Sequence, residues 1–208
     1  LLNEMINFLG VESRREHLRG SFKACRYTLT ADNCLKMMLV HVRICAGQPI
    51  VISGETGCGK TSLIKFLLYL LGMPRDNFRV LNVHAGVGRE RITEFVTDCE
   101  KVALASNQDV WVFFDEANTS PHLATISELM CRRMLNGKVV SPTLRFLAAV
   151  NPHRLRAKEV ESVGLQSKLN TEDPMRRLVY RVFRLPQALC DYVWDYGQLA
   201  RNDEMDYI

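Results

Sequence analysis

Gly54-Glu55-Thr56-Gly57-Cys58-Gly59-Lys60-Thr61 has the spacing G-x-x-x-x-G-K-[ST] of a phosphate-binding loop. Pro49-Ile50-Val51-Ile52-Ser53 precedes it as a short apolar strand, and Ser62 to Leu71 follows as a strongly apolar helix. That strand–loop–helix context separates a phosphate site from a glycine turn in front of a buried helix. Gly54, Gly57 and Gly59 are expected to take positive φ and to let the backbone approach phosphate oxygens closely. Successive N–H groups then form an anion nest, reinforced by the positive end of the following helix. Lys60 is placed to reach the β- and γ-phosphates, and the Thr61 hydroxyl to ligate Mg²⁺. The nucleotide-holding set is therefore Gly54, Glu55, Thr56, Gly57, Cys58, Gly59, Lys60, Thr61 and Ser62.

Val110-Trp111-Val112-Phe113-Phe114-Asp115-Glu116 is the second decisive stretch. It is a continuous apolar run, as a strand buried on both faces requires, and it ends in two carboxylates. In a parallel sheet, ligands bind at the carboxyl ends of the strands, so Asp115 and Glu116 arrive where the glycine loop does. Asp115 is expected to hold Mg²⁺ through a water, and Glu116 to orient or deprotonate the attacking water. Asp115 follows Lys60 by 55 residues, room for one intervening βα unit. Leu144 to Pro152 reads as another strand, ending in Asn151. Asn151 either contacts the γ-phosphate or the lytic water, or is a turn residue before proline.

Leu1 to Phe22 reads as a helix and a polar connector, with Arg14, Arg15, Glu16 and Arg19 as a solvated face. Tyr27 to Asn33 is extended and ends in a helix cap at Thr30 or Asp32. The helix that follows carries Leu35, Met38, Leu39 and Val42 on one face. Phe78 to His84 alternates as a strand, Ala85 to Gly88 is a turn, and Arg89 to Ala105 is a helix. Pro121 opens a helix with Ile126, Leu129, Met130 and Met134 inward, closed by Asn136-Gly137. Residues 154–173 are polar and charged and read as a loop or a loosely held helix, expected to be the most mobile part of the chain. Val179 to Leu185 is expected to be the last strand, and Gln187 to Leu199 a last helix.

Over 208 residues the chain is 47 % hydrophobic and 24 % charged, with a net charge of +4. This suits a globular domain with a sizeable core and an ordinary mildly basic surface. The first residue is Leu1 rather than Met, so the chain is expected to be cut from a longer protein. The seven cysteines form no C-x-x-C pair and no zinc-ligand spacing with His. They read as reduced thiols of a cytosolic or nuclear protein, and a cytoplasmic location is expected. Lys65 interrupts the most apolar helix, and no stretch has the pattern of a membrane span or a signal peptide.

The glycine loop (Walker A), the acidic strand end with Glu116 (Walker B) and Asn151 in the sensor-1 position resemble, in this order, an AAA+ ATPase module. The resemblance spans about residues 25–200. Leu29 to Asn33, the glycine loop itself, Phe113 to Thr119, Ala149 to Pro152, and Leu185-Pro186 with Val193 to Gly197 are similar to the AAA modules of the mysterin family. These are giant ring-finger E3 ubiquitin ligases. The resemblance implies an α/β P-loop NTPase fold, with a parallel sheet of order 5-1-4-3-2 flanked by helices. It implies ATP and Mg²⁺ as ligands and an N-terminal helix and connector over 1–24. The AAA+ core would span 25–186, and a truncated C-terminal helical lid would begin at 187–208. The helix before the first strand either walls the adenine pocket in such folds or simply packs the core.

The resemblance further implies neighbouring AAA+ modules, in the same chain or oligomer, that receive an arginine finger. Arg176, Arg177 and Arg181 lie in that region, with Arg177 the first choice and counted with Glu116 and Asn151 among the catalytic residues. Ubiquitination machinery would be met only through a parent ligase, whose ring finger is absent from these residues. Two functions stay open on this reading: an ATP-hydrolysing module that drives conformational change, and an ATP-binding scaffold that barely turns over. A small-molecule kinase and a nucleic-acid motor fit less well, since neither a substrate insertion nor an aromatic-basic groove is evident. Cys58 fits either a redox switch or simply a small side chain suited to the loop.

Overall fold

The computed structural model describes residues 1–22, 27–154 and 178–197, the side chains of 20–22 excepted. Its frame is a five-stranded parallel sheet. β1 (Ile50–Ser53), β2 (Phe78–Asn82), β3 (Val110–Asp115), β6 (Leu144–Val150) and β7 (Val193–Asp195) lie in the order β2-β3-β6-β1-β7. Counted in chain order, these five strands give the expected 5-1-4-3-2. β3 and β6 are nearly pure apolar runs because helices cover both their faces.

On one face, Ile50, Ile52, Phe113 and Leu147 pack against α1 (Leu2–Leu9), α3 (Ala31–Cys45) and α4 (Lys60–Leu71). On the other, Val112, Phe114 and Ala148 pack against α5 (Arg89–Ser106) and α6 (Leu123–Arg132). Strands β1, β2, β3 and β6 and helices α4 and α5 fall within two residues of their expected bounds.

Three expectations are corrected. The fifth strand is β7, not Val179 to Leu185. Residues 181–186 carry no regular structure, although Leu178 and Val182 are buried. The expected helix over Gln187 to Leu199 shrinks to α7 (Gln187–Cys190), and Val193-Trp194-Asp195 beyond it pairs with β1. Trp194 is thus a strand residue at the sheet edge, and the core continues past residue 186. Among the described residues up to 197 there is no lid helix, and the rest of the expected lid lies outside them.

The second correction concerns the end of α6. The helix stops at Arg132, with Arg133 at φ +54°, and Asn136 and Gly137 form the tight turn of a small hairpin, β4 (Met134–Leu135) with β5 (Lys138–Val139). Both turn residues have positive φ, 51° and 77°, which is what Asn-Gly offers to a two-residue hairpin. The third concerns α3. Its buried side is Asn33, Cys34, Lys36, Met37, Val40 and Ile44, whereas Leu35, Leu39 and Val42 are more than half exposed. This helix packs the core through the face that carries two polar residues. Thr30 is its cap, accepting from Asn33 N at 3.1 Å.

The N-terminal segment is fastened by charge as well as burial. It forms α1, a short 3₁₀ turn over Glu12–Arg14, and α2 (Arg15–Phe22). The Arg14 guanidinium donates to Leu70 O at 2.8 Å, at the end of α4, and to Tyr69 O at 3.0 Å, which also accepts from Gly72 N. Arg15 donates to Asn7, and Arg19 to Asn3, surface bonds that tie α2 to α1. Gly72 ends α4 at φ +72°, and a methyl group there would meet Arg14 Nη1 at 2.3 Å. Gly72→Ala is therefore expected to strain the backbone, displace Arg14 and destabilise the chain by about 1–2 kcal/mol, read by urea unfolding.

Candidate functional site

The carboxyl ends of β1, β3 and β6 meet at one edge of the sheet. Ser53 pairs with Val150, and Phe114 with Ala148, which brings the glycine loop, Asp115 and Asn151 side by side. Gly57 and Gly59 have φ of +85° and +95°, as expected. Gly54 does not. Glycine suits that position because a methyl group would crowd Tyr196 Cβ at 3.0 Å and Cys58 Sγ at 3.1 Å. Gly59 precedes α4 without a side-chain cap, so the first N–H groups of the helix are left to the loop's concave side.

The cleft at this edge encloses about 390 Å³ and is lined by Thr56, Gly57, Gly59, Lys60, Thr61, Ser62, Asp115, Glu116 and Asn151, all anticipated, with Asn82 and Val83 in addition. Lys60 is 7 % exposed, and its ammonium donates to Gly54 O at 2.7 Å and Glu55 O at 2.8 Å. The Thr61 hydroxyl donates to Asp115 Oδ2 at 2.9 Å. Glu116 takes φ +54°, unusual for a residue with a side chain, directly after the strand. Its N–H donates to Asp115 Oδ1 at 3.1 Å, and its Oε1 accepts from Asn151 Nδ2 at 3.4 Å. Thr56 Oγ1 donates to Asn151 Oδ1 at 3.2 Å. Asn151 therefore bridges the glycine loop and Glu116.

Gly54, Glu55 and Cys58 belong to the loop but do not line this cleft. The Glu55 carboxylate pairs with Arg154 at 3.0 Å in an adjoining cleft. Cys58 Sγ lies 3.7 Å from Lys60 Nζ. Arg176 and Arg177 lie outside the described residues, and Arg181 is exposed. Lys60 is the one cation lining the cleft among the described residues, beside two carboxylates.

Asn118 was not anticipated. It is 2 % exposed; its Nδ2 donates to Asn151 O at 2.8 Å, and its Oδ1 accepts from Asn151 N at 3.1 Å. Its own carbonyl accepts from Phe183 N at 2.7 Å. The Asp-Glu-Ala-Asn run held the signal, but a side chain that grips another strand's backbone has no periodic signature. Asn82 was missed because an exposed strand end reads as surface, yet the register sets it opposite Asp115. Asn118→Ala leaves both backbone groups of Asn151 unsatisfied. A loss of about 2–3 kcal/mol is expected in denaturant unfolding.

Thr61, Asp115 and Glu116 offer oxygen donors alone, the chemistry of a hard cation such as Mg²⁺, which is bound by one or two carboxylates together with substrate phosphates. No cluster of three or more His, Cys, Asp or Glu fit to hold a metal occurs among the described residues. No helix among them is long and apolar enough to cross a membrane.

Residues 27–154 match the family described as RNF213 AAA domain. The chain is 40 % identical over 202 residues to human E3 ubiquitin-protein ligase RNF213. It is 38 % identical to rnf213-beta of Danio rerio and 38 % identical to RNF213 of Mus musculus. Each alignment covers 88 % of this chain and 4 % of the relative, so the chain spans a small fraction of these ligases' length. RNF213 is mysterin, and the resemblance read from the loop and strand ends leads to the same family. This chain, an AAA+ module by its sheet order and by the match over more than half its length, belongs to the RNF213 AAA domain family.

Proposed function

We propose that this module binds ATP with Mg²⁺ in the cleft and hydrolyses it, as one unit of a larger mysterin-like E3 ubiquitin ligase in the cytoplasm. The observation that carries the proposal is the 2.9 Å bond between Thr61 and Asp115. It joins the glycine loop to the acidic strand end, with Glu116 and Asn151 in contact beside it. Thr61 and Asp115 would hold Mg²⁺, which when bound neutralises charge on the β- and γ-phosphates. Lys60 presents its ammonium at the loop, where the phosphates of the substrate would replace its bonds to Gly54 O and Glu55 O. Glu116 acts as base toward the attacking water, its carboxylate oriented by Asn151.

Arg177, or its neighbours Arg176 and Arg181, acts on the next module rather than on this cleft, and a finger from another neighbour acts here. With Lys60 as the cleft's one cation among the described residues, the module by itself lacks the charge that a finger contributes, worth about 10³ to 10⁵ in rate. The same observation favours the second reading, a scaffold that holds ATP and barely turns it over. Ubiquitin transfer belongs to other parts of the parent.

Lys60→Ala is expected to weaken ATP binding on the order of 100-fold in calorimetric titration. Glu116→Gln is expected to bind ATP within about threefold of the parent chain while hydrolysis falls by about 10²- to 10⁴-fold. If Glu116→Gln leaves turnover unchanged, the scaffold reading holds. Turnover per chain is also expected to rise with protein concentration, as a neighbour's arginine is supplied. A fast rate unchanged on dilution refutes a finger in trans.

A further inference from the structure

Tyr196 lies directly beyond β7, far along the chain from the glycine loop, yet it lies beside both ends of that loop. Its N–H donates to Ser53 O at 2.7 Å, just where the loop leaves β1. Its Cβ would crowd a side chain on Gly54, at 3.0 Å from the site of a methyl group. Its hydroxyl lies 3.6 Å from the corresponding position on Gly59, immediately before Lys60. The ring is 4 % exposed and does not line the phosphate cleft, so it lies behind the loop rather than inside it. A second buried residue holds the ring. The Lys36 ammonium, on α3, sits 4.1 Å from the ring centroid and pairs with Asp32 at 2.5 Å. Lys36 is 7 % exposed, and its place on the inward face of α3 is intelligible only through these two partners.

We propose that Tyr196, set by Lys36, is a positioning residue for the phosphate loop. It backs the curvature between Gly54 and Gly59 that aims the loop's N–H groups and Lys60 into the cleft. Neither residue touches the nucleotide, and both act through the loop. The inference rests on the nucleotide reading above and extends it to two residues outside the cleft. A loosened loop keeps its fold but loses convergence of its donors, and the loss falls on phosphate binding rather than on global stability. Gly59 and Gly57, both at positive φ, give the loop the freedom that such a backstop has to restrict.

The test is the affinity of the 208-residue chain for ATP with Mg²⁺, measured well below each variant's unfolding midpoint. Tyr196→Ala is expected to raise Kd by about tenfold or more, and Tyr196→Phe by no more than about threefold. Lys36→Met, which keeps the aliphatic stem and removes the charge, is expected to raise Kd by about fivefold, and Lys36→Arg to restore it. Should Tyr196→Ala fail to fold, the Lys36 pair decides, since both leave the ring in place. Binding within twofold of the parent for Tyr196→Ala or for Lys36→Met overturns the inference. A Kd change that Lys36→Arg fails to rescue also overturns it. Failure of the parent chain itself to bind ATP is a separate result, because it overturns the nucleotide reading before any variant is compared.

Discussion

Ser53 stands opposite Val150 and Phe114 opposite Ala148, and those two pairings set every distance at the sheet edge. Side chains alternate between the faces of a strand, so a slip of one residue in either pairing would exchange its inward and outward sets. It would also carry Asp115 away from Thr61. The pairing is held by burial on both faces. Phe113 and Phe114 are each fully buried, one against the α3–α4 side and the other against the α5–α6 side. A strand that cannot move without exposing an aromatic ring on either side is a firm mount for a pair of carboxylates.

The parts of the fold that were legible are those in which chemistry and period coincide. Lys60, Thr61, Asp115, Glu116 and Asn151 were placed from spacing and strand ends, and the strands that carry them are where an unbroken apolar run must lie. The inward side of α3 is not legible from an apolar pattern because it carries Asn33 and Lys36, whose side chains are buried on specific partners: Thr28 O for the first, Asp32 and Tyr196 for the second. A binary pattern assigns such residues to water. β7 was mistaken for helix because three residues on a sheet edge show no period, and the arginine-rich run before it has better strand composition than the strand itself. Asn136-Gly137 served as a hairpin turn rather than a helix stop, two uses that share one dipeptide.

The site also shows how polar side chains take over where the ladder ends. Beyond Phe114 and Val150 the strands part, and Asn118 grips both backbone groups of Asn151. Thr119 Oγ1 donates to Val83 O at 2.9 Å, and Ser120 Oγ donates to Val87 O at 3.2 Å. The three consecutive residues after Ala117 thus tie β3 to the segments beyond β2 and β6. Buried side chains holding backbone groups is the arrangement expected where loops must be as fixed as the sheet.

The stretch by which the family is recognised, 27–154, is smaller than the unit that folds. Outside it lie Met5, Ile6, Leu9 and Leu18, all buried, together with Arg14 on the carbonyls of α4. Outside it too lies β7, the neighbour that covers the free side of β1. A piece trimmed to the recognised boundaries would present Ile50-Val51-Ile52 as an open apolar edge, with its N–H and C=O groups ready to pair with another copy. For anyone preparing this domain, the boundary that matters is set by strand pairing at residue 195 and by the first helix, and trimming inside either favours aggregates over the native sheet.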